Sequence, residues 1–329
     1  MLKSVINAAI FDMATDNSTS PLALNSILLK WLGNDSLPFG SLILPDFRYL
    51  PIPRWPDESE LMEANSGGSG LVSILSEANR VVIGTNSLTN VPKRFNMSSI
   101  PGTSYYAASG FEVDIAESIF TRISRKYPSV FARDGDPLQV VWALSPWFDS
   151  AQDNIISNLD LGKYDVILSG MSSLGTWIVE GPGGQDQTVA RDSVLQFSLP
   201  YLNGGAAGIL VGLRPLPANV STPITNLTML NQEGVITCVQ RGTSMAEFAE
   251  RNLNRTMIND YADGSQPRKE TLNQNCNMYL APIVNAAWDA RAFAGNLTLV
   301  LEYSDKAYFQ SYDPISIGIR LDRSTVEIV

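Results

Sequence analysis

A chain of 329 residues with 23 Lys and Arg against 33 Asp and Glu carries a net charge of −10, which excludes the basic face that nucleic-acid binding needs. It contains no histidine, so catalysts built on an imidazole base and His-ligated metals are excluded, and its two cysteines cannot form a zinc cage alone. Apolar residues make up 44% and charged residues 17%, a globular balance in a chain long enough for two domains, with no metal or cofactor implied.

Residues 1–79 read as an N-terminal extension and linker. The opening Met1-Leu2-Lys3-Ser4-Val5-Ile6-Asn7 has one positive charge, but Asn7 and Asp12 interrupt the apolar run, so no signal peptide is visible. Ser20-Pro21 predicts a helix start, with Leu24, Ile27, Leu28 and Trp31 on one face. Prolines 45, 51, 53 and 56 then argue against a central strand, and Ser66-Gly67-Gly68-Ser69-Gly70 has linker composition. From residue 80 short apolar strands alternate with amphipathic helices, the pattern of an α/β sheet. Val81-Val82-Ile83-Gly84 predicts a buried strand, and Val113, Ala116, Ile119, Phe120 and Ile123 a helical stripe. Tyr164-Asp165-Val166-Ile167-Leu168 and Gly208-Ile209-Leu210-Val211 predict further strands. The alternation restarts near residue 206: a strand over 235–239, a stripe at Met245, Phe248, Ala249 and Leu253, a strand over 278–281, and a last stripe at Ile283, Ala286, Ala287 and Ala290. This pattern predicts two lobes, residues 80–205 with 305–329, and residues 206–304. No apolar run approaches the roughly 20 residues of a membrane-spanning helix.

Arg191 stands just before a strand and is always ionised, suited to a bidentate grip on a carboxylate. Arg241-Gly242-Thr243-Ser244 follows a strand and opens a helix, so the backbone N–H groups at Thr243 and Ser244 would face an anion. One group from each lobe closing on one carboxylate is the arrangement these two segments suggest. Cys238 and Cys276 fall near opposite ends of adjacent parallel strands, too far apart to bridge, and are expected as free buried thiols. Seven Asn-x-Ser/Thr sequons, at Asn17, Asn34, Asn96, Asn219, Asn226, Asn254 and Asn296, are compatible with a glycosylated secreted protein.

Three segments resemble the type II solute-binding proteins, in their amino-acid-binding branch. These are Gly110-Phe111-Glu112-Val113-Asp114-Ile115-Ala116, the run from Leu159-Asp160-Leu161-Gly162-Lys163 to Ser169-Gly170-Met171-Ser172, and Arg191 followed by Phe197-Ser198-Leu199-Pro200-Tyr201. The Gly242-Thr243-Ser244 turn is a fourth match. The resemblance covers roughly residues 80–320. It implies a two-lobed periplasmic-binding-protein type II fold with an inter-lobe cleft, here with the N-terminal extension, and hinge closure near residues 202–206 and 313–315. It also implies a secreted protein, periplasmic or extracellular, that binds an amino acid or small carboxylate and works with a membrane transporter or receptor. By the same resemblance Arg191, Thr188, Gly170, Ser172, Thr243 and Ser244 are ligand-binding, Asn86 follows the first strand, and Trp147 with Phe148 supplies an aromatic wall, while Asp114 serves helix entry.

The chain departs from that pattern where a ligand ammonium would be paired. Pro282 falls at the second-lobe Asp position and Asn86 replaces the acidic residue after the first strand, leaving Asp149 or Asp289 as substitutes. Cyclohexadienyl dehydratases also resemble the chain at Phe197–Gly205 and Gly242–Leu253, but Asn285 stands at their acidic position and an amide is no general acid. A dehydratase-like enzyme and a scaffold that has lost its ligand are the alternatives to binding. The inserted residues 173–187, with Trp177, either cap the cleft or form a disordered tip.

Overall fold

The computed structural model describes residues 1–32, 47, 51–66, 71–86, 96–131, 135–173, 175–181, 183–203, 207–224, 226–300 and 314–321. The first helix, α1 (Leu2–Thr15), buries Leu2, Val5, Ile6, Ile10 and Met13. It is followed by α2 (Leu24–Leu32), α3 (Glu58–Ser66) and α4 (Leu71–Ala78). The expected start of α2 at Pro21 moves to Leu24, because residues 21–23 form a turn in which Ala23 N donates to Ser20 O. Residues 67–70 of the expected linker lie outside the described residues.

The first α/β unit then runs β1 (Arg80–Thr85), β2 (Asn96–Ser99), β3 (Tyr106–Ser109), α5 (Phe111–Lys126), α6 (Pro128–Phe131), β4 (Gln139–Leu144), α7 (Ile155–Asp160) and β5 (Val166–Ile167). A hairpin, β6 (Thr176–Glu180) and β7 (Asp186–Ala190), precedes the long β8 (Leu195–Asn203). The second unit is β9 (Ala207–Val211), α8 (Leu227–Leu230), β10 (Ile236–Gln240), α9 (Ser244–Asn252), β11 (Met257–Tyr261), α10 (Gln266–Leu272), β12 (Met278–Pro282), α11 (Ile283–Ala292) and β13 (Thr298–Leu299). The chain returns to the first unit as β14 (Pro314–Arg320).

Two large sheets result, apart from the two-stranded β6–β7 hairpin. The larger has the order β2-β3-β4-β1-β5-β14-β8 and the smaller β11-β10-β12-β9-β13. In the larger, β1 lies parallel between β4 and β5, while β14 runs antiparallel to β5 and β8. Alternation along each strand feeds a core on either face, as the pleat dictates. Val81 and Ile83 join α1 and α5 on one side, and Val82 packs with α7 on the other. In the smaller sheet Met278 and Leu280 pack with α9, whereas Tyr279 and Ala281 pack on the face of Ala286.

Two expectations are corrected here. Residues 1–79 are not a detached extension: α1 lies against β8 and α5, and Leu24, Ile27, Leu61, Val72 and Leu75 join the same core. Asn7 and Asp12, which interrupt the apolar run at the N terminus, have structural partners, since Asn7 Oδ1 accepts from Leu199 N at 2.7 Å and Asp12 Oδ2 from Trp55 Nε1 at 2.8 Å. The cysteines are not free thiols either. Cys238 and Cys276 form a disulfide, with their Cα atoms 6.1 Å apart. The expectation of free thiols extends β12 back through Cys276. The strand begins at Met278 instead, and a turn in which Cys276 N donates to Glu270 O brings the residue back beside β10.

Candidate functional site

The carboxyl ends of β1, β5, β10 and β12 meet across the gap between the sheets, where a crevice forms in open α/β sheets. The cavity there has a volume of about 80 Å³, roughly five to eight water-sized positions. Asn86, Trp147, Gly170, Ser172, Arg191, Thr243 and Ser244 all line it, so seven of the eight residues expected from sequence are brought together.

Arg191 opens a 3-10 turn, Arg191–Ser193, just before β8, and its side chain is only 1% exposed. Its Nη1 donates to Ser172 O at 3.0 Å and its Nη2 to Gly242 O at 2.7 Å, one bond to each α/β unit. The guanidinium lies 5.6 Å from the ring centroid of Trp177, which packs edge-on against Trp147 and Phe148. Gly242 adopts φ 68°, the left-handed region that favours glycine, and a Cβ there would lie 3.7 Å from Trp147 Nε1. Thr243 caps α9: its Oγ1 accepts from Ala246 N and donates to Gln240 O. Opposite, Asn86 Oδ1 accepts from Ser169 Oγ at 2.6 Å.

Thr188 is the residue the structure does not bring in. The spacing before Arg191 predicts it in the site, but residues 176–190 form the β6–β7 hairpin, where Thr188 pairs with Ile178 and is exposed. The threonine at the hairpin base that reaches the other unit is Thr176, whose N and Oγ1 donate to Glu247 Oε1 on α9 at 2.6 and 2.9 Å. The inserted segment forms an ordered hairpin instead: Trp177 at its base packs against Trp147 and Phe148, and residues 183–188 are exposed.

Four residues complete the wall or its support without being assigned to it from sequence. Arg268 Nη1 pairs with Asp289 Oδ1 at 2.9 Å, and Tyr279 OH donates to Asp289 Oδ2 at 2.7 Å; all three line the cavity. Burial, and then the Asp289 carboxylate, push the Tyr279 hydroxyl far above its ordinary pKa, so it stays a donor. Pro267 at the start of α10 signals a helix, but nothing in the sequence aims Arg268 at the cleft. Gln240, the last residue of β10, also lines the cavity. Beneath it, Glu112 Oε1 accepts from Gly170 N at 2.6 Å and Tyr201 OH at 2.7 Å, fixing the Gly170 peptide. Glu112 belongs to the same helix-entry motif as Asp114, yet it is the acidic residue that reaches the site. Asp114 instead ties α2 down, accepting from Trp31 Nε1 at 2.6 Å and Lys30 Nζ at 2.7 Å. Of the two substitutes for an ammonium partner, Asp289 is engaged by Arg268 and Tyr279, and Asp149 is exposed outside this cavity.

No protein-family model matches the chain, and no curated protein matches it. Among solved structures it is similar to an ancestral amino-acid-binding protein described as a precursor of cyclohexadienyl dehydratase, at 19% identity and a TM-score of 0.53, covering 78% of this chain and 88% of that one. It is similar to an amino-acid ABC transporter substrate-binding protein from Streptococcus pneumoniae bound to L-arginine, at 16% identity and 0.52, covering 78% and 87%. A mutant of the T. maritima ArgBP gives 17% identity and 0.52, again covering 78% and 87%. With its two sheets and the crevice between them, the chain has the two-lobed α/β fold of the type II solute-binding proteins.

Proposed function

We propose that this protein is an extracytoplasmic solute-binding module that holds a small carboxylate in the cavity between its two sheets. One observation carries the reading: Arg191, a guanidinium 1% exposed, lines that cavity and bonds to both α/β units. A fixed charge already removed from bulk water favours an anion there, and the N terminus of the nine-residue α9 adds backbone donors of the same sign. The structural neighbours named above are amino-acid-binding proteins, one of them a transporter component. In this reading residues 80–205 with 305–329 and residues 206–304 close as two lobes about residues 202–206 and 313–315. Residues 204–206 and 313 of those hinges lie outside the described residues. Only a ligand bonded to both lobes shifts the balance between open and closed states. The partner is a membrane transporter or receptor that recognises the closed form.

The Cys238–Cys276 bridge supports an oxidising compartment. Asn285 at the cavity wall, an amide where a dehydratase-like enzyme would need an acid, supports binding over catalysis. The test is a thermal-shift and calorimetric panel of small carboxylates and amino acids on the full chain. At least one should stabilise the protein, by about 2.7 kcal/mol at a hundred times its Kd. Arg191→Lys, which keeps the charge but loses the planar fork, should weaken it. A panel giving neither heat nor stabilisation overturns the reading.

A further inference from the structure

Cationic side chains outnumber anionic ones in the wall of the cavity between the lobes. The charged residues that line it are Arg191, Arg268 and Asp289, and each oxygen of Asp289 already accepts one bond, from Arg268 and from Tyr279 OH. Three of the neutral acceptors there are also engaged. Asn86 Oδ1 takes a hydrogen bond from Ser169, Ser172 O from Arg191, and Gln240 O from Thr243. Against these, two buried donors have no partner among the described residues, the indole Nε1 of Trp147 and the Nε2 of Gln240. Trp147 is 7% exposed and lines the cavity, so its N–H is without protein or bulk-water partner there. A buried polar group left unsatisfied costs free energy, and a ligand acceptor placed against it relieves that cost.

An ammonium brings the opposite requirement: three donors and a positive charge, in a wall where two arginines face one aspartate. Resting on the binding function proposed above, we infer that the ligand is a small carboxylate without an ammonium, whose remaining polar atom is an acceptor. A 2-oxo or 2-hydroxy acid of three to five carbons has that chemistry, and its handful of heavy atoms suits a cavity of about 80 Å³. Arg191 and the N terminus of α9 hold the carboxylate. Trp147 Nε1 and Gln240 Nε2 donate to the oxo or hydroxyl oxygen, and Asp289 serves to hold Arg268 in place.

The experiment compares matched pairs by calorimetry on the full chain: pyruvate and L-lactate against L-alanine, and 2-oxobutyrate against L-2-aminobutyrate. The oxo or hydroxy acid should bind at least tenfold tighter than its amino partner. Trp147→Phe, which removes the indole N–H but keeps a ring in the aromatic cluster, should weaken the oxo acid by about fivefold or more, with circular dichroism confirming the fold. An amino acid that binds as tightly as its partner, or tighter, overturns this inference while leaving the binding function intact. Binding of no pair, together with no response to any other carboxylate, instead overturns the binding function itself.

Discussion

Arg191 does two jobs in this arrangement, lining the cavity and bonding to main-chain oxygens of both units, so its substitution has two readouts. Arg191→Ala should abolish tight binding of any carboxylate, at a cost of about 2–5 kcal/mol for a lost buried charge pair. It should also lower the melting temperature, because the carbonyls of Ser172 and Gly242 lose their donor. Thr188→Ala is the matched control: on the exposed strand of the hairpin, it should leave affinity unchanged in the same titration. The residue type and charge of Arg191 are legible in the sequence, because an arginine before a strand remains ionised wherever it lies. The position of Thr188 is not legible in that way, since three residues along a strand that leaves the site carry the side chain away from it.

At the scale of elements, two ties hold segments that hydrophobic pattern alone leaves loose. The disulfide closes a loop of 38 residues between β10 and the turn before β12, worth about 4 kcal/mol by chain entropy. The Cys238→Ser, Cys276→Ser double variant should lose stability of that order in urea, and reducing agent should act on the parent protein alone. The second tie is at the end of α1, where Asp16 Oδ1 accepts from Ser18 N at 2.9 Å and Asp16 Oδ2 pairs with Arg122 at 2.6 Å. Hydrogen bonding from Ser18, and then from Arg122, lowers the Asp16 pKa to about 2. A folded-state pKa below the unfolded value near 4 stabilises the fold above pH ~4, and that contribution disappears as pH falls toward 2. Asp16→Asn should therefore melt below the parent at pH 6, and the gap should narrow below pH 4 and close as pH falls through 2. A gap independent of pH would mean that the Asp16 charge contributes nothing.

On the scale of the whole molecule, the N-terminal helix is part of the first core. Removing residues 1–15 would strip Leu2, Val5, Ile6, Ile10 and Met13 from it. At about 1.5–3 kcal/mol for each large apolar side chain, the loss is on the order of 10 kcal/mol, comparable to the whole stability of a domain. The truncated chain should fail to fold cooperatively, as followed by urea denaturation and circular dichroism. A truncated protein with the parent's transition midpoint would show that α1 is dispensable. The proposed closure acts at this scale as well, and Gly175 illustrates how tightly the units meet. A Cβ on Gly175 would lie 2.7 Å from Glu247 Oε1, so a side chain there would have to displace the Glu247 carboxylate, and the backbone φ of 100° itself favours glycine.

Alternating apolar runs and helical stripes were enough to establish the α/β class, and motifs that resemble solute-binding proteins pointed to seven residues that line the cavity, because both are local in the chain. α5 buries all five residues of the predicted stripe, and β10 and β12 fall within one residue of their expected spans. Long-range contacts decided the rest. The disulfide depended on a turn before β12, and the place of α1 on its packing against β8 and α5, far along the chain. The engagement of Asp289 needed Arg268 from α10 and Tyr279 from β12 to converge on one carboxylate. No local pattern encodes such meetings, since which polar groups share a buried space is set by how the sheets and helices pack, and it is that packing which leaves Trp147 Nε1 and Gln240 Nε2 without a partner among the described residues.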